Sequence, residues 1–111
     1  MKSYWDGENW LEKESNNHFI LFSLNGKLHR SDGPAIINFN KDGSVFNDLY
    51  FKNGKLHRED DPAAIEYHNN GSILKQFFYY NGTEFDPNLL PFEMPIDTEE
   101  KEFYMNLIYR E

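Results

Sequence analysis

The hexapeptide NGKLHR occurs twice in this chain, at Asn25 to Arg30 and again, 28 residues later, at Asn53 to Arg58. The two copies agree well beyond the hexamer. Asp32/Asp60, Pro34/Pro62, Ala35/Ala63, Ile37/Ile65, Gly43/Gly71 and Ser44/Ser72 are identical at the same offset. A third copy begins at Asn81-Gly82 and departs at once into Thr83, Glu84 and Phe85. Self-similarity at a fixed period marks one supersecondary unit used repeatedly, and it constrains architecture before it says anything about chemistry.

The unit reads as β-structure. Phe19 to Leu24 leads into the first NGKLHR loop, and Ala35, Ile37 and Phe39 alternate with polar neighbours as a half-buried strand does. Lys41-Asp42-Gly43-Ser44 is a tight turn, because glycine supplies the positive φ that hairpin turns require. Val45 to Phe51 returns to the second loop. The second copy repeats the pattern through Ala63, Ile65 and Tyr67, a turn at Asn69-Asn70-Gly71-Ser72, and a strand from Ile73 to Tyr80. One period therefore holds a loop, a strand, a turn and a strand.

That order closes on a mainly β fold: a single antiparallel meander sheet of about five to seven strands, built from hairpin repeats. Tight turns fall at one end of such a sheet, so loops 25–34, 53–62 and 81–90 form a row at the other. Equivalent loops lie two strands apart, roughly 9 to 10 Å, which places His29 and His57 side by side without contact. Within each loop, Asn-Gly starts a turn, Leu28 or Leu56 tucks beneath it, Asp32 or Asp60 is available to cap backbone N–H groups, and Arg30 or Arg58 can pair with that aspartate.

The ends differ from the body, though one domain spans 1–111. In segment 1–18, Tyr4-Trp5 followed by Asp6-Gly7 suggests a strand and turn with Trp10-Leu11 as the return, the two tryptophans capping a core, and Glu12 to Asn17 as a polar connection. The repeat body covers 19–85. Residues 86–96 carry Pro87, Pro91 and Pro95 and read as a linker. Asp97 followed by Glu100 has capping-box spacing, and Phe103/Leu107 with Tyr104/Ile108 make an apolar stripe, predicting one C-terminal α-helix over 97–110.

The string NGKLHRSDGPA, an aromatic strand and a further Asn-Gly turn resemble the MORN-variant repeats found as tandem arrays in phage, giant-virus and bacterial proteins. The resemblance covers residues 19–85. Asp61 stands where the pattern has glycine, which predicts a strained or altered turn in the second copy, and the third copy lacks the Leu, His and Arg. The resemblance implies an interaction scaffold and carries no shared enzymatic activity.

Composition narrows the function classes. The absence of cysteine excludes disulfides, thiolate metal sites and a cysteine nucleophile. The longest apolar run, Phe19 to Phe22, is far too short to span a membrane, and the N-terminus lacks a signal-peptide hydrophobic region. A cytoplasmic protein is expected, in the host cell if phage-encoded, with no membrane association. The net charge of −8 is uneven: the segment 25–83 is neutral, while 84–111 holds eight acids and two bases. Such a chain repels nucleic acid and suits a basic protein partner, including a nucleic-acid-processing enzyme.

Candidate contact residues follow from these features. Asp97, Glu99, Glu100 and Glu102 form an acidic strip able to stand where phosphates stand. His29, Arg30, His57 and Arg58 make a basic loop row. Phe46, Tyr50, Phe78 and Tyr80 lie on a sheet face that one helix cannot cover together with the opposite one, leaving it to the N-terminal segment, a homodimer or a partner. The His/Asp pairs could be read as acid/base or, with His18 and His68, as metal ligands. Their recurrence at repeat positions instead suits structural residues, so no catalytic residue, metal or cofactor is assigned. The expected function is non-enzymatic protein binding, of the kind by which phage or mobile-element anti-defence proteins such as anti-CRISPRs inhibit a host protein. The alternatives are a self-assembling MORN-like scaffold and a hydrolase or nuclease using the His/Asp loops.

Overall fold

The Asn-Gly pairs set the local geometry of the whole chain. In the computed structural model, which describes residues 2 to 88, Asn25, Asn53 and Asn81 take φ of 52°, 50° and 46°, and the glycines after them 80°, 83° and 84°. Two successive positive φ values define the turn whose twist matches paired strands, and asparagine and glycine tolerate them best. Each pair thus closes a short hairpin, three times at the same offset.

Around these turns the described residues form eleven strands and no helix: β1 (Lys2–Trp5), β2 (Trp10–Ser15), β3 (Phe19–Leu24), β4 (Lys27–Leu28), β5 (Ile36–Phe39), β6 (Val45–Leu49), β7 (Phe51–Lys52), β8 (Lys55–Leu56), β9 (Ala64–Tyr67), β10 (Ile73–Tyr80) and β11 (Thr83–Phe85). All pairings are antiparallel. The main sheet runs β1-β2-β3-β5-β6-β9-β10-β11 with β4 also on β3, and β7-β8 forms a separate two-stranded piece. The linker beyond Asn88 and the helix expected over 97–110 lie outside the described residues.

The mainly β, antiparallel meander of the repeat body is as the period predicts. The strand number is higher for two reasons. Each long strand of the repeat pairs along one side with two partners in line: Phe22 accepts from His29 N–H and donates to Ala35 C=O, and Tyr50 does the same with His57 and Ala63. The N-terminal segment is also a full hairpin. β1 pairs with β2, and β2 pairs with β3 from Glu12 to Ser15, so the stretch read as a polar connection is largely strand. Glu12, Glu14 and Ser15 are exposed and Lys13 is half-buried, while Leu11 is 1% exposed.

The apolar core is thin: Leu11, Phe22, Ala35, Ala63, Ala64, Ile65 and Phe85 are the buried apolar side chains among the described residues. The repeated alanines sit where β5 and β9 begin, and their carbonyls accept from Phe22 and Tyr50 at 2.8 and 2.7 Å. A cross-strand row of apolar side chains runs Leu21, Ile36, Leu49, Ala64, Phe77 through four successive pairings. The tryptophans do not cap the core. Trp5 and Trp10 are 50% and 66% exposed, with ring centroids 5.4 Å apart.

Two β-bulges sit at the repeat offset as well. The register shifts across Phe46 in β6 and across Leu74 in β10, leaving each as the extra residue of its strand. Bulges re-aim side chains. Phe46, Ile73 and Leu74 are all exposed, each within a few residues of a tight turn.

Candidate functional site

The repeated hexamer proves to be the joint between successive copies. Leu28 C=O accepts the N–H of Gly54 at 2.8 Å, and Leu56 C=O accepts that of Gly82 at the same distance. His29 Nδ1 accepts the N–H of Asn53 at 3.1 Å, and His57 Nδ1 accepts that of Asn81 at 3.0 Å. Arg30 and Arg58 donate their own N–H groups to the carbonyls of Phe51 and Tyr79. Three consecutive residues, Leu-His-Arg, therefore each bond the next copy, while the His N–H stays with its own strand.

A ring that accepts at Nδ1 is neutral and carries its proton on Nε2. His29 and His57 are only 6% and 7% exposed. Burial holds the His57 imidazole below its ordinary value against the opposing pull of Glu59, whose carboxylate lies 3.9 Å from Nε2. His57 also packs on Tyr80 at 4.8 Å between centroids. His29 Nε2 is buried without a hydrogen-bond partner among the described residues. Both rings act first as backbone acceptors at a helix-free, turn-on-turn contact.

The arginines brace their own loops. Arg30 Nη1 and Arg58 Nη1 donate to the carbonyls of Pro34 and Pro62 at 3.1 and 3.2 Å. The Arg30 guanidinium lies 4.2 Å from the Phe22 ring centre and the Arg58 guanidinium 3.8 Å from that of Tyr50, both within cation–π range. Arg30 Nε also binds Asp32 at 2.6 Å, as the loop spacing predicts, whereas Arg58 Nη2 lies 3.7 Å from Asp61.

The Gly33/Asp61 difference has a steric basis. Gly33 is not among the positive-φ residues, so the glycine does not serve the backbone. A Cβ there would lie 3.0 Å from Arg30 Cζ. Glycine admits the guanidinium in the first copy, and Asp61 attracts it from the side in the second.

The N-terminal hairpin completes the first loop. Tyr4 Oη donates to Asp32 Oδ2 at 2.6 Å and accepts from Arg30 Nη2 at 3.1 Å. Asp6, 3% exposed, accepts the N–H groups of Glu8 and Asn9 on one oxygen and of Ser31 on the other. Burial raises its carboxyl, but these backbone donors outweigh that and hold it below its usual range. The backbone capping expected of Asp32 is thus supplied to Ser31 by Asp6. Neither Tyr4 nor Asp6 is identified by the sequence as a loop residue, because they precede the period; the Asp6-Gly7 turn was the available signal.

Between the two loops opens a cleft of about 400 Å³, lined by Arg30, Asp32, Lys52, His57, Arg58 and Glu59 among others. Its charges are mixed, and its cations are largely engaged with the loop itself. Among the described residues, no group of three or more His, Cys, Asp or Glu is placed to hold a metal.

The remaining candidate residues divide. Phe46 is 44% exposed, whereas Tyr50, Phe78 and Tyr80 are half-buried against Arg58, Phe85 and His57. Asp97, Glu99, Glu100 and Glu102 lie outside the described residues. Ile73 and Leu74, at the bulge in β10, are 50% and 47% exposed. No helix among the described residues is long and apolar enough to cross a membrane. Comparison with known protein families, curated proteins and solved structures finds no match for this chain.

Proposed function

We propose that this protein is a non-enzymatic protein-binding module. The observation that carries the reading is the use of both repeated histidines as acceptors for the turn of the next copy. A general base must keep its lone pair free for a substrate proton. Here Nδ1 is engaged in both copies, and the arginines beside them are tied to proline carbonyls. The residues with the most chemical potential hold the array together.

Recognition then falls to the exposed apolar residues Phe46, Ile73 and Leu74 and to the acid-rich sequence after residue 83. A neutral body joined to a strongly acidic segment suits a basic protein surface of the kind that handles nucleic acid. The function proposed is inhibition or modulation of such a host protein, in the manner of phage or mobile-element anti-defence proteins, including the anti-CRISPR type, with Asp97, Glu99, Glu100 and Glu102 as the contact strip.

Affinity capture from host lysate, followed by size-exclusion chromatography with light scattering, tests the reading. A stoichiometric complex with a nucleic-acid-processing protein, lost in a Glu99→Gln, Glu100→Gln, Glu102→Gln variant that folds normally, is the expected result. A protein that captures nothing, or a complex indifferent to those three charges, overturns it.

A further inference from the structure

The N-terminal hairpin carries an exposed strip of aromatic and acidic side chains on one face. In β1 and β2, Trp5 stands opposite Trp10 and Ser3 opposite Glu12. Residues directly opposite share a face, and so do residues two apart along a strand, so Ser3, Trp5, Trp10, Glu12 and Glu14 lie together. All five are exposed, the tryptophans at 50% and 66%. Tyr4, Leu11 and Lys13 alternate onto the other face, where Leu11 is buried and Lys13 Nζ sits 5.8 Å from the centre of the Phe22 ring. Among the described residues, neither Glu12 nor Glu14 is in an ion pair.

We propose that this strip is an arginine-binding surface, where a guanidinium of a basic protein partner stacks on an indole face and pairs with the Glu12 carboxylate. The inference rests on the basic-partner reading above and adds a contact for that partner within residues 3–14. Carboxylates beside open indole rings suit a cation, which the ring faces attract as well. Arginine fits better than lysine, because its planar guanidinium stacks on a ring while its N–H groups bind a carboxylate. Trp10 and Glu12 are two residues apart, about 7 Å along the strand, so one arginine side chain can span ring and carboxylate. The two indoles are tilted by 52° at 5.4 Å between centroids, which is no flat platform for a sugar ring.

The strip stands on a braced support. Asp6 holds the hairpin turn by accepting from Glu8 and Asn9, and it ties that turn to the first loop through Ser31. Tyr4, on the opposite face, bonds both Asp32 and Arg30, and Leu11 anchors the return strand in the core. A surface fixed in this way has little left to order on binding, which favours affinity. Tryptophan is also among the residues that dominate binding energy in protein interfaces.

Titration of the full-length protein with a capped hexa-arginine peptide, followed at the Trp5 and Trp10 indole N–H resonances by NMR, tests this. Both resonances are expected to shift saturably, and a hexa-lysine peptide should bind about twofold or more weakly. Glu12→Gln with Glu14→Gln should weaken binding about three- to tenfold, and Trp10→Leu, read at Trp5, about two- to fivefold. The Glu99→Gln, Glu100→Gln, Glu102→Gln variant removes more charge but should weaken it less. Indoles that stay unshifted while the peptide binds overturn the proposal, and so does a greater loss in that variant than in Glu12→Gln with Glu14→Gln. Indole shifts with a neutral oligosaccharide such as cellohexaose, and none with hexa-arginine, overturn it in favour of a sugar site. The indole response in a protein that captures no host partner upholds the surface while the proposed function fails. A captured basic partner that leaves both indoles unshifted overturns the surface alone.

Discussion

Replacing His57 by alanine separates a structural histidine from a functional one, and the size of the effect follows from its contacts. The change removes the acceptor of the Asn81 N–H, a bond of 3.0 Å. Asn81 is exposed, so water can reach part of the donor, and the low end of the range for an unmade bond applies, about 1 kcal/mol. The ring is 7% exposed and packs on Tyr80, so its loss adds about 1 to 2 kcal/mol of contact and cavity cost. The total is about 2 to 3 kcal/mol, a large share of the roughly 5 to 15 kcal/mol that holds a domain folded. Asparagine supplies a decoy, because its Oδ1 sits near the place of Nδ1 and accepts a hydrogen bond. His57→Asn should recover about 1 kcal/mol of the loss, even though it does not restore the ring. Urea unfolding of the wild type, His57→Ala and His57→Asn measures both numbers. A His57→Ala protein as stable as wild type, or an asparagine variant no better than alanine, refutes the turn-to-turn role and returns the histidines to the list of candidate reactive groups.

Further consequences follow from the same geometry. His57 has a folded pKa below its ordinary value of 6.5, so its contribution to stability is complete above that pH and is lost as the pH falls through the lower folded value. Burial of Asp48 acts in the opposite direction at lower pH, so the difference between wild type and His57→Asn is the quantity to follow, and it should narrow on going from roughly pH 7.5 to 5.5 in urea titrations. Gly33→Ala places a Cβ 3.0 Å from Arg30 Cζ and should cost roughly 1 to 2 kcal/mol in thermal melts. Asp61→Ala at the equivalent, 62% exposed place should stay within about 0.5 kcal/mol. Asn81→Ala, at φ 46°, should cost about 1 kcal/mol by urea titration, and Asn81→Gly only a few tenths.

The repeat was legible because its residues act locally and identically in each copy. Asn-Gly turns and the Arg30–Asp32 pair follow from spacing, and the structure bears them out, whereas the expected alternation does not hold: Ile36–Phe39 is half-buried throughout, and the successive Ala63, Ala64 and Ile65 are all buried. What spacing cannot supply is direction across the joint. The histidines look the same from the sequence whether Nδ1 meets a substrate or the neighbouring turn, and only the stacking of one hairpin on the next decides it. The bulges at Phe46 and Leu74 were hidden for a similar reason: one extra residue shifts the alternation that assigns faces, so four residues of one expected aromatic surface separate into one exposed and three engaged side chains. The third copy shows the same logic in reverse. Phe85 replaces histidine at the offset where the next turn would begin at 109, and the sequence there reads Tyr109-Arg110 in place of Asn-Gly. A buried histidine at this place would need a hydrogen-bond partner, at a cost of about 1 to 3 kcal/mol if the bond is unmade; the phenyl ring of Phe85, 7% exposed and packed 5.8 Å from Phe78, carries no such requirement. His29 and His57 differ from Phe85 in the respect that the structure shows: each accepts the N–H that opens the turn 24 residues on.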